Sequence, residues 1–374
     1  MFRRIAKNNY DWLIFFGVIP LVAAGLVTMY SFDATSLFFT RQIIWIGVAF
    51  IVFVLVSTID MRFLRETRFI MLLYGVVVAL LLLLFILGST FKGATSWFDL
   101  GFLAFQPSDP AKLVLILVLA KYFSRRHVEI RDFRHIFISG LYALIIFILI
   151  FLQPDFGSSI IILAIWFGMV LVSGISKKHI AILFGVGAVA FIGLWTFVLD
   201  DFQKERVESF LHPYADISGD GYNAYQSAIA VGSGELTGKG IGYGTQSRLQ
   251  FLPEYESDFI FAAFTEEWGY IGALILFFFF GVVIWRIFVN AKEGATNFET
   301  FFAVGLATMF IAHFTVHVGT NIGMLPVTGL TMPFMSYGGS HLLTEFLGLG
   351  ILMSMRQYRR ESKEVISQPD LLEE

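Results

Sequence analysis

Asp258 is a carboxylate whose context suits either chemistry or a capping and topological role. It sits in Phe251-Leu252-Pro253-Glu254-Tyr255-Glu256-Ser257-Asp258-Phe259-Ile260-Phe261, where a polar stretch gives way to a long apolar run. Pro253 interrupts regular structure, and Ser257 is a residue type that caps helices. The expectation is therefore an ionised carboxylate in the first turn of a helix, at the positive end of its dipole. Such a group can take a proton from a hydroxyl or bind a cation; a capping role fits the same spacing. Lys112 lies about a turn into a second apolar run. Asp109, three residues earlier, shares its helix face. Asp258 is the long-range alternative, and a lysine there would tune its pKa. Glu266, Glu267 and Glu345 fall inside apolar runs, Glu345 one turn below His341, and Arg41 enters another run. A charge at mid-bilayer costs at least ~2.5–3.5 kcal/mol, so these groups are functional candidates by default.

The elements that position them are membrane helices. Of 374 residues, 57% are hydrophobic and 15% charged, with 43 phenylalanines and a mean hydropathy of +0.75. A soluble domain carries ~25% charged residues, so neither a soluble two-domain enzyme nor a disordered chain fits. A net charge of -3 provides no basic field for nucleic acid. The absence of cysteine excludes a disulfide scaffold, an iron–sulfur cluster and a thiol nucleophile. A span needs ~20 apolar residues, and ten stretches qualify: 13–30, 37–57, 69–89, 109–124, 135–152, 157–173, 180–199, 259–285, 298–318 and 339–355. The fold class expected is an all-α polytopic membrane protein of one domain, 1–374, with the first stretch kept as an anchor. Most Lys and Arg, from Arg3 and Arg62 to Arg286 and Arg356, fall in alternate connections, which the positive-inside rule places in the cytoplasm together with both termini. Residues 361–374 read as a flexible cytoplasmic tail.

The large outer connection, 200–258, begins as a charged amphipathic segment running to His212-Pro213 and continues with Gly219, Gly221, Gly232, Gly234, Gly238, Gly240, Gly242 and Gly244. Apolar residues interleaved there point to a packed loop. Ser233 to Lys239 imitates a phosphate loop but lacks its first Gly and its final Ser or Thr. His313 and His317 share a helix face without the Glu of an H-E-x-x-H motif, so a polar face is favoured over zinc. Gln153-Pro154-Asp155-Phe156-Gly157 reads as a tight turn capped by Asp155, and Pro326, Pro333 and Gly338-Gly339 suggest a re-entrant loop.

Five separated blocks resemble the SEDS family (shape, elongation, division and sporulation) of bacterial cell-wall polymerases. They are Gln106-Pro107-Ser108-Asp109 with Ala111-Lys112; Gln153-Pro154-Asp155 with Gly157; Tyr225 to Ala230 with Gly238 to Ser247; Phe251 to Phe261; and Pro333-Phe334 with Ser336-Tyr337-Gly338-Gly339-Ser340. The block Gly244-Thr245-Gln246-Ser247 is most similar to the elongation-type, RodA-like branch, while Gly329-Leu330-Thr331 is similar to the division-type branch. Ser96 precedes Trp97 where the family usually has Arg.

The resemblance implies a peptidoglycan glycosyltransferase in the bacterial cytoplasmic membrane, its active site facing outside. It would polymerise lipid II, an undecaprenyl-pyrophosphate disaccharide-pentapeptide, with inversion. Asp258 matches the family's essential aspartate, the expected base or ligand of a divalent cation such as Mg or Mn, with Lys112 orienting it. Arg248, Lys239, Gln246, Ser247, Glu254, Trp97, Ser336 and Tyr337 are the expected substrate contacts. Asp109, Asp155, Glu266, Glu267 and Glu345 would support them. The polyprenyl tail would lie in a groove between spans lined by some of the many Phe residues, with membrane lipid around it, and a class B penicillin-binding protein would supply transpeptidation. A lipid-linked precursor flippase is the chief rival, disfavoured because the polar residues cluster toward one leaflet; a non-catalytic scaffold is the third reading.

Overall fold

The computed structural model describes residues 11–32, 37–91, 94–99, 104–126, 133–197, 220–249 and 251–367, with Lys204, Glu208 and Phe210 as isolated positions. The charged segment expected at 200–213 falls largely outside the described residues, as do Arg3 and the end of the tail past Ser367.

Among the described residues, ten long helices fall on the ten apolar stretches. They are α1 (Trp12–Phe32), α2 (Leu37–Thr58), α3 (Thr67–Leu87), α4 (Ser108–Arg126), α5 (Phe133–Phe151), α6 (Phe156–Val172) and α7 (Lys177–Phe197), then, after the shorter α8 (Asp220–Ser233), α9 (Ile260–Lys292), α10 (Asn297–Asn321) and α11 (Gly339–Ser367). Six of them (α1, α2, α3, α5, α9 and α10) are long and apolar enough to cross a bilayer. The protein is an all-α polytopic membrane fold. The last helix extends to Ser367, seven residues into the segment read as a tail.

Helices buried all round form the centre. In α4 every residue from Ala111 to Ala120 is buried, and α10 buries Phe302, Leu306, Ala307 and Phe310 against α4 and α6. The remaining helices pack around this pair, with α2 against α11 and α1 against α9. Peripheral faces such as Ile43, Ile44, Ile51 and Leu55 of α2 stay exposed, as a lipid-facing surface requires.

The connection between α3 and α4 departs from the all-helical expectation. It holds a small antiparallel sheet of β1 (Ser89–Phe91), β2 (Ala94–Asp99) and β3 (Ala104–Phe105) in that order. Its register pairs Ser89 with Trp97 and Phe98 with Phe105. Three short strands between two spans were too brief to show period-two patterning.

Ion pairs join the helices at one end of the bundle. The Asp11 carboxylate accepts from Arg286 Nη2 at 2.7 Å and from Asn290 Nδ2 at 3.0 Å, and it pairs with Arg356. Arg65 pairs with Glu299, and Lys121 donates to the Arg65 carbonyl. These basic residues all belong to the set that sequence assigns to one side.

Within α9, Gly269 adopts φ 65° and ψ -168°, a conformation open only to glycine, so the span is two helices and not the continuous one expected. The glycine loop fills the gap. The N–H groups of Lys239 and Gly240 donate to the carbonyls of Glu266 and Glu267 (both 3.0 Å), while those of Tyr270 and Ile271 donate to the carbonyls of Glu235 (2.9 Å) and Leu236 (3.1 Å). The backbone groups freed by the break are thus re-satisfied, which an apolar surround demands.

Candidate functional site

Asp258 lies in a turn and not in the first helical turn. The helix begins at Ile260, its N-cap residue is Phe259, and no side chain of the cap bonds the backbone. Ser257 does not cap; its hydroxyl donates to Glu254 Oε2 at 3.2 Å. Glu254, at φ 51°, closes the turn through its carbonyl, which accepts from the N–H groups of Ser257 and Phe259 (both 3.1 Å). Asp258 is half-buried, and its Oδ2 faces Gly329, where an added Cβ would lie 3.8 Å away.

Two segments grip this turn. Ser336 Oγ donates to the Ser257 carbonyl at 2.7 Å, and the Tyr337 N–H donates to the Glu256 carbonyl at 2.8 Å. Gln42 Nε2 holds the Ser336 carbonyl from α2 at 3.1 Å, and the Tyr337 ring meets Phe38 at 5.0 Å. Ser336 is 4% exposed and also accepts from the Met332 N–H at 2.8 Å. Its hydroxyl therefore fixes backbone on both sides. On the other side, Asn321 Nδ2 donates to the Asp258 carbonyl at 3.0 Å, and Asn321 Oδ1 accepts from the Ala262 N–H at 3.0 Å.

Lys112 takes the local partner of the two weighed above. Its Nζ lies 3.0 Å from Asp109 Oδ1, both side chains buried. His341 Nδ1 is 3.4 Å from that oxygen, His341 Nε2 is 3.0 Å from Glu345 Oε1, and the His341 and His313 rings lie 4.6 Å apart. Glu345 Oε2 accepts from the N–H of Phe334, which sits at φ 63°. His317 Nδ1 donates to the Leu330 carbonyl at 2.7 Å and His313 Nδ1 to the Thr331 carbonyl at 3.4 Å. One segment, 326–338, thus touches both the charged cluster and the Asp258 turn. No group of three His, Cys, Asp or Glu residues able to hold a metal occurs among the described residues.

The glycine loop binds itself to the N-terminal half of α9. Lys239 Nζ bonds Glu266 Oε1 at 2.7 Å and Thr245 Oγ1 at 2.8 Å. The Gln246 N–H donates to the same glutamate oxygen at 3.1 Å, and the Gly242 N–H to Glu267 Oε1 at 2.6 Å. Glu266 and Glu267 are fully buried. Lys239 is accordingly an anchor whose charge Glu266 neutralises. Ser247 is buried, whereas Arg248, next to it, is exposed.

Asp155 performs the capping role read from its turn. Its Oδ1 accepts from the Ser158 N–H at 3.0 Å, and Oδ2 accepts from Gln106 Nε2 at 3.0 Å, tying α6 to the start of α4. Ser96 reaches the Gln153 carbonyl at 3.5 Å, which docks the sheet and half-buried Trp97 at the same end. Asn321 and Gln42 were not picked out from sequence. Asn321 continues the His313, His317 spacing by four more residues, a signal that was present.

A family profile described as Cell cycle protein, covering FtsW, RodA and SpoVE, matches residues 6–361. The chain is 32% identical to Stage V sporulation protein E of Bacillus subtilis (strain 168) over 367 residues, 95% of this chain and 99% of that one. It is 38% identical to the peptidoglycan glycosyltransferase MrdB of Escherichia coli (strain K12) over 291 residues, covering 77% of this chain and 78% of that one. Among solved structures, one described as the structural coordination of polymerization and crosslinking by a peptidoglycan synthase complex superposes with a TM-score of 0.82 at 30% identity, covering 94% of this chain and 98% of its own. The rod shape determining protein RodA of Thermus thermophilus superposes at 0.71 with 29% identity and the same coverage. Sequence over nearly the whole length and the arrangement of the helices agree, and the chain belongs to the FtsW/RodA/SpoVE (SEDS) family of cell cycle proteins.

Proposed function

We propose that this protein is a peptidoglycan glycosyltransferase that polymerises lipid II at the outer face of the cytoplasmic membrane, in cell elongation. The observation that carries the reading is the Asp258 turn. A half-buried carboxylate is held by backbone bonds from two sides, at the end of the bundle away from the Arg65, Arg286 and Arg356 ion pairs. By the positive-inside rule those basic residues face the cytoplasm, so Asp258 faces outward. The relatives named as glycosyltransferases support the chemistry, and the Gly244 to Ser247 block favours elongation over division.

In the reaction, the 4-hydroxyl oxygen of one N-acetylglucosamine attacks C1 of the N-acetylmuramic acid on the other lipid. The new C–O bond forms as the bond from C1 to the pyrophosphate breaks, with inversion. The hydroxyl proton passes to the Asp258 carboxylate, and undecaprenyl pyrophosphate leaves with the electron pair. Arg248, which is exposed, would meet negative charge on the departing group. Among the described residues no group of three His, Cys, Asp or Glu able to hold a metal occurs. Mg or Mn at Asp258 would be held by this one carboxylate with phosphate oxygens, the usual habit of Mg, and would supply charge neutralisation. A transpeptidase of the class B penicillin-binding type is the partner that the synthase-complex relative suggests.

The test is polymerisation of purified lipid II by the protein in detergent or nanodiscs, with and without that partner. Wild-type protein is expected to form glycan strands. Asp258→Asn should lower the rate by about 10²–10⁴-fold, the range for losing a general base, with an unchanged melting temperature. Headgroup translocation without polymer would instead establish the flippase reading.

A further inference from the structure

The Asn321 side chain is wholly buried at the end of α10, and both of its polar atoms are engaged. Oδ1 accepts from the Ala262 N–H at 3.0 Å. Nδ2 donates to the Asp258 carbonyl at 3.0 Å and to the His317 carbonyl at 2.8 Å, which uses both amide hydrogens. The backbone carbonyl of Asn321 accepts from Ser227 Oγ of α8 at 2.8 Å.

These bonds answer two needs of the Asp258 turn. The first N–H groups of a helix have no partner inside it, and an N-cap side chain normally supplies one. In α9 the cap is Phe259, which offers no acceptor. The acceptor comes instead from a different helix, 59 residues along the chain. The same amide then grips the carbonyl of Asp258 itself. Any shift of the Asp258 backbone out of the turn breaks the Nδ2 bond to its carbonyl. Asp in place of Asn would keep the acceptor for Ala262 but set an oxygen against two carbonyls. Only a side-chain amide meets all three partners.

We propose that Asn321 is the positioning residue of Asp258: it caps α9 from α10 and fixes the carboxylate's backbone for proton abstraction. This rests on the glycosyltransferase reading for its catalytic half and on geometry alone for its holding half.

The experiment measures two quantities on Asn321→Ala and Asn321→Asp in nanodiscs. One is lipid II polymerisation, resolved into kcat and KM; the other is hydrogen exchange of the amides from 258 to 263. For Asn321→Ala, kcat should fall by about a hundredfold, the cost of an ångström-scale misplacement, while KM stays within threefold and the turn's amides exchange faster. For Asn321→Asp the Ala262 amide should keep its protection while kcat still falls. Wild-type exchange in Asn321→Ala, a raised KM with intact kcat, or wild-type kcat in Asn321→Asp would each overturn the proposal. If Asn321→Ala fails to fold, Asn321→Asp, which retains the cap, decides it through the same kcat. If wild-type protein makes no polymer, the functional reading falls, and the exchange data alone judge whether Asn321 holds the turn.

Discussion

Lys112 and Asp109 form an ion pair with Nζ and Oδ1 3.0 Å apart and side chains only 2% and 3% exposed. An ion pair this deep is held by its surroundings: His341 approaches the same carboxyl oxygen, and Glu345 flanks His341. Removing one member of a buried pair strands a charge, whereas removing both relieves the desolvation penalty. Lys112→Met is therefore expected to destabilise the protein by about 3–5 kcal/mol. The double variant Lys112→Met with Asp109→Asn should be less unstable than Lys112→Met alone. Thermal unfolding of the three variants in one detergent checks the order. Additive losses would show that the two charges do not stabilise each other.

The pairing of Lys239 with Glu266 supports a similar experiment at the surface of the glycine loop. Lys239→Met leaves the buried Glu266 carboxylate with only Thr245 Oγ1 and the Gln246 N–H. Proteolysis within 236–248 should accelerate, by at least about tenfold for a loss of 1.4 kcal/mol when cleavage follows local opening. Adding Glu266→Gln should restore part of the protection. If the single variant resists cleavage like the wild type, Lys239 is free to serve substrate and is no anchor.

Gly269 is predicted to accept no other residue. Its backbone conformation excludes side chains, and a Cβ there would overlap the Gly238 nitrogen and the Leu236 carbonyl. The strain of a non-glycine residue in this region is about 1–3 kcal/mol before the overlap is counted. Gly269→Ala should lower the melting temperature and release the loop, read as new protease sites within 234–244. An intact loop in that variant would refute the threaded arrangement.

At the opposite end, acid should loosen the bundle through Asp11. Burial raises its pKa, but the hydrogen bonds from Arg286 and Asn290 and the charge of Arg356 outweigh this and hold it below the ordinary value of 3.8. A group whose folded pKa is depressed adds stability above its unfolded pKa and loses it as pH falls through the folded one. Wild-type melting temperature should therefore decline below about pH 4 more steeply than that of Asp11→Asn. Parallel curves for the two proteins would remove Asp11 from the account.

The helical framework was legible because membrane spans are written as runs of apolar residues, which no local detail obscures. The start of α6 agrees with its stretch because Asp155 marks it as a cap. The break at Gly269 was not legible. In sequence it is one glycine in an apolar run, and its partner loop lies about thirty residues earlier, so hydropathy averages over it. Asp258 was found by residue type and context, but its placement in the first helical turn assumed that the nearest Ser would cap. The cap came from Asn321, and no local rule reports a partner on another helix. Of the two partners open to Lys112, the local one at i, i+3 lies 3.0 Å away, whereas the resemblance implied that Lys112 orients Asp258. Ser336 and Lys239, substrate contacts by the family resemblance, hydrogen-bond protein groups in the structure, which no local pattern reports.

The discontinuity at Gly269 has a mechanical outcome. The nine residues from Ile260 to Trp268 that follow Asp258 are clasped by Leu236 to Gly242 and by Asn321, while Tyr270 onward runs as a separate rod down to Arg286. Because Tyr270 and Ile271 at the top of that rod donate to Glu235 and Leu236 of the same loop, a tilt of the rod is passed on through the loop and not along a continuous helix.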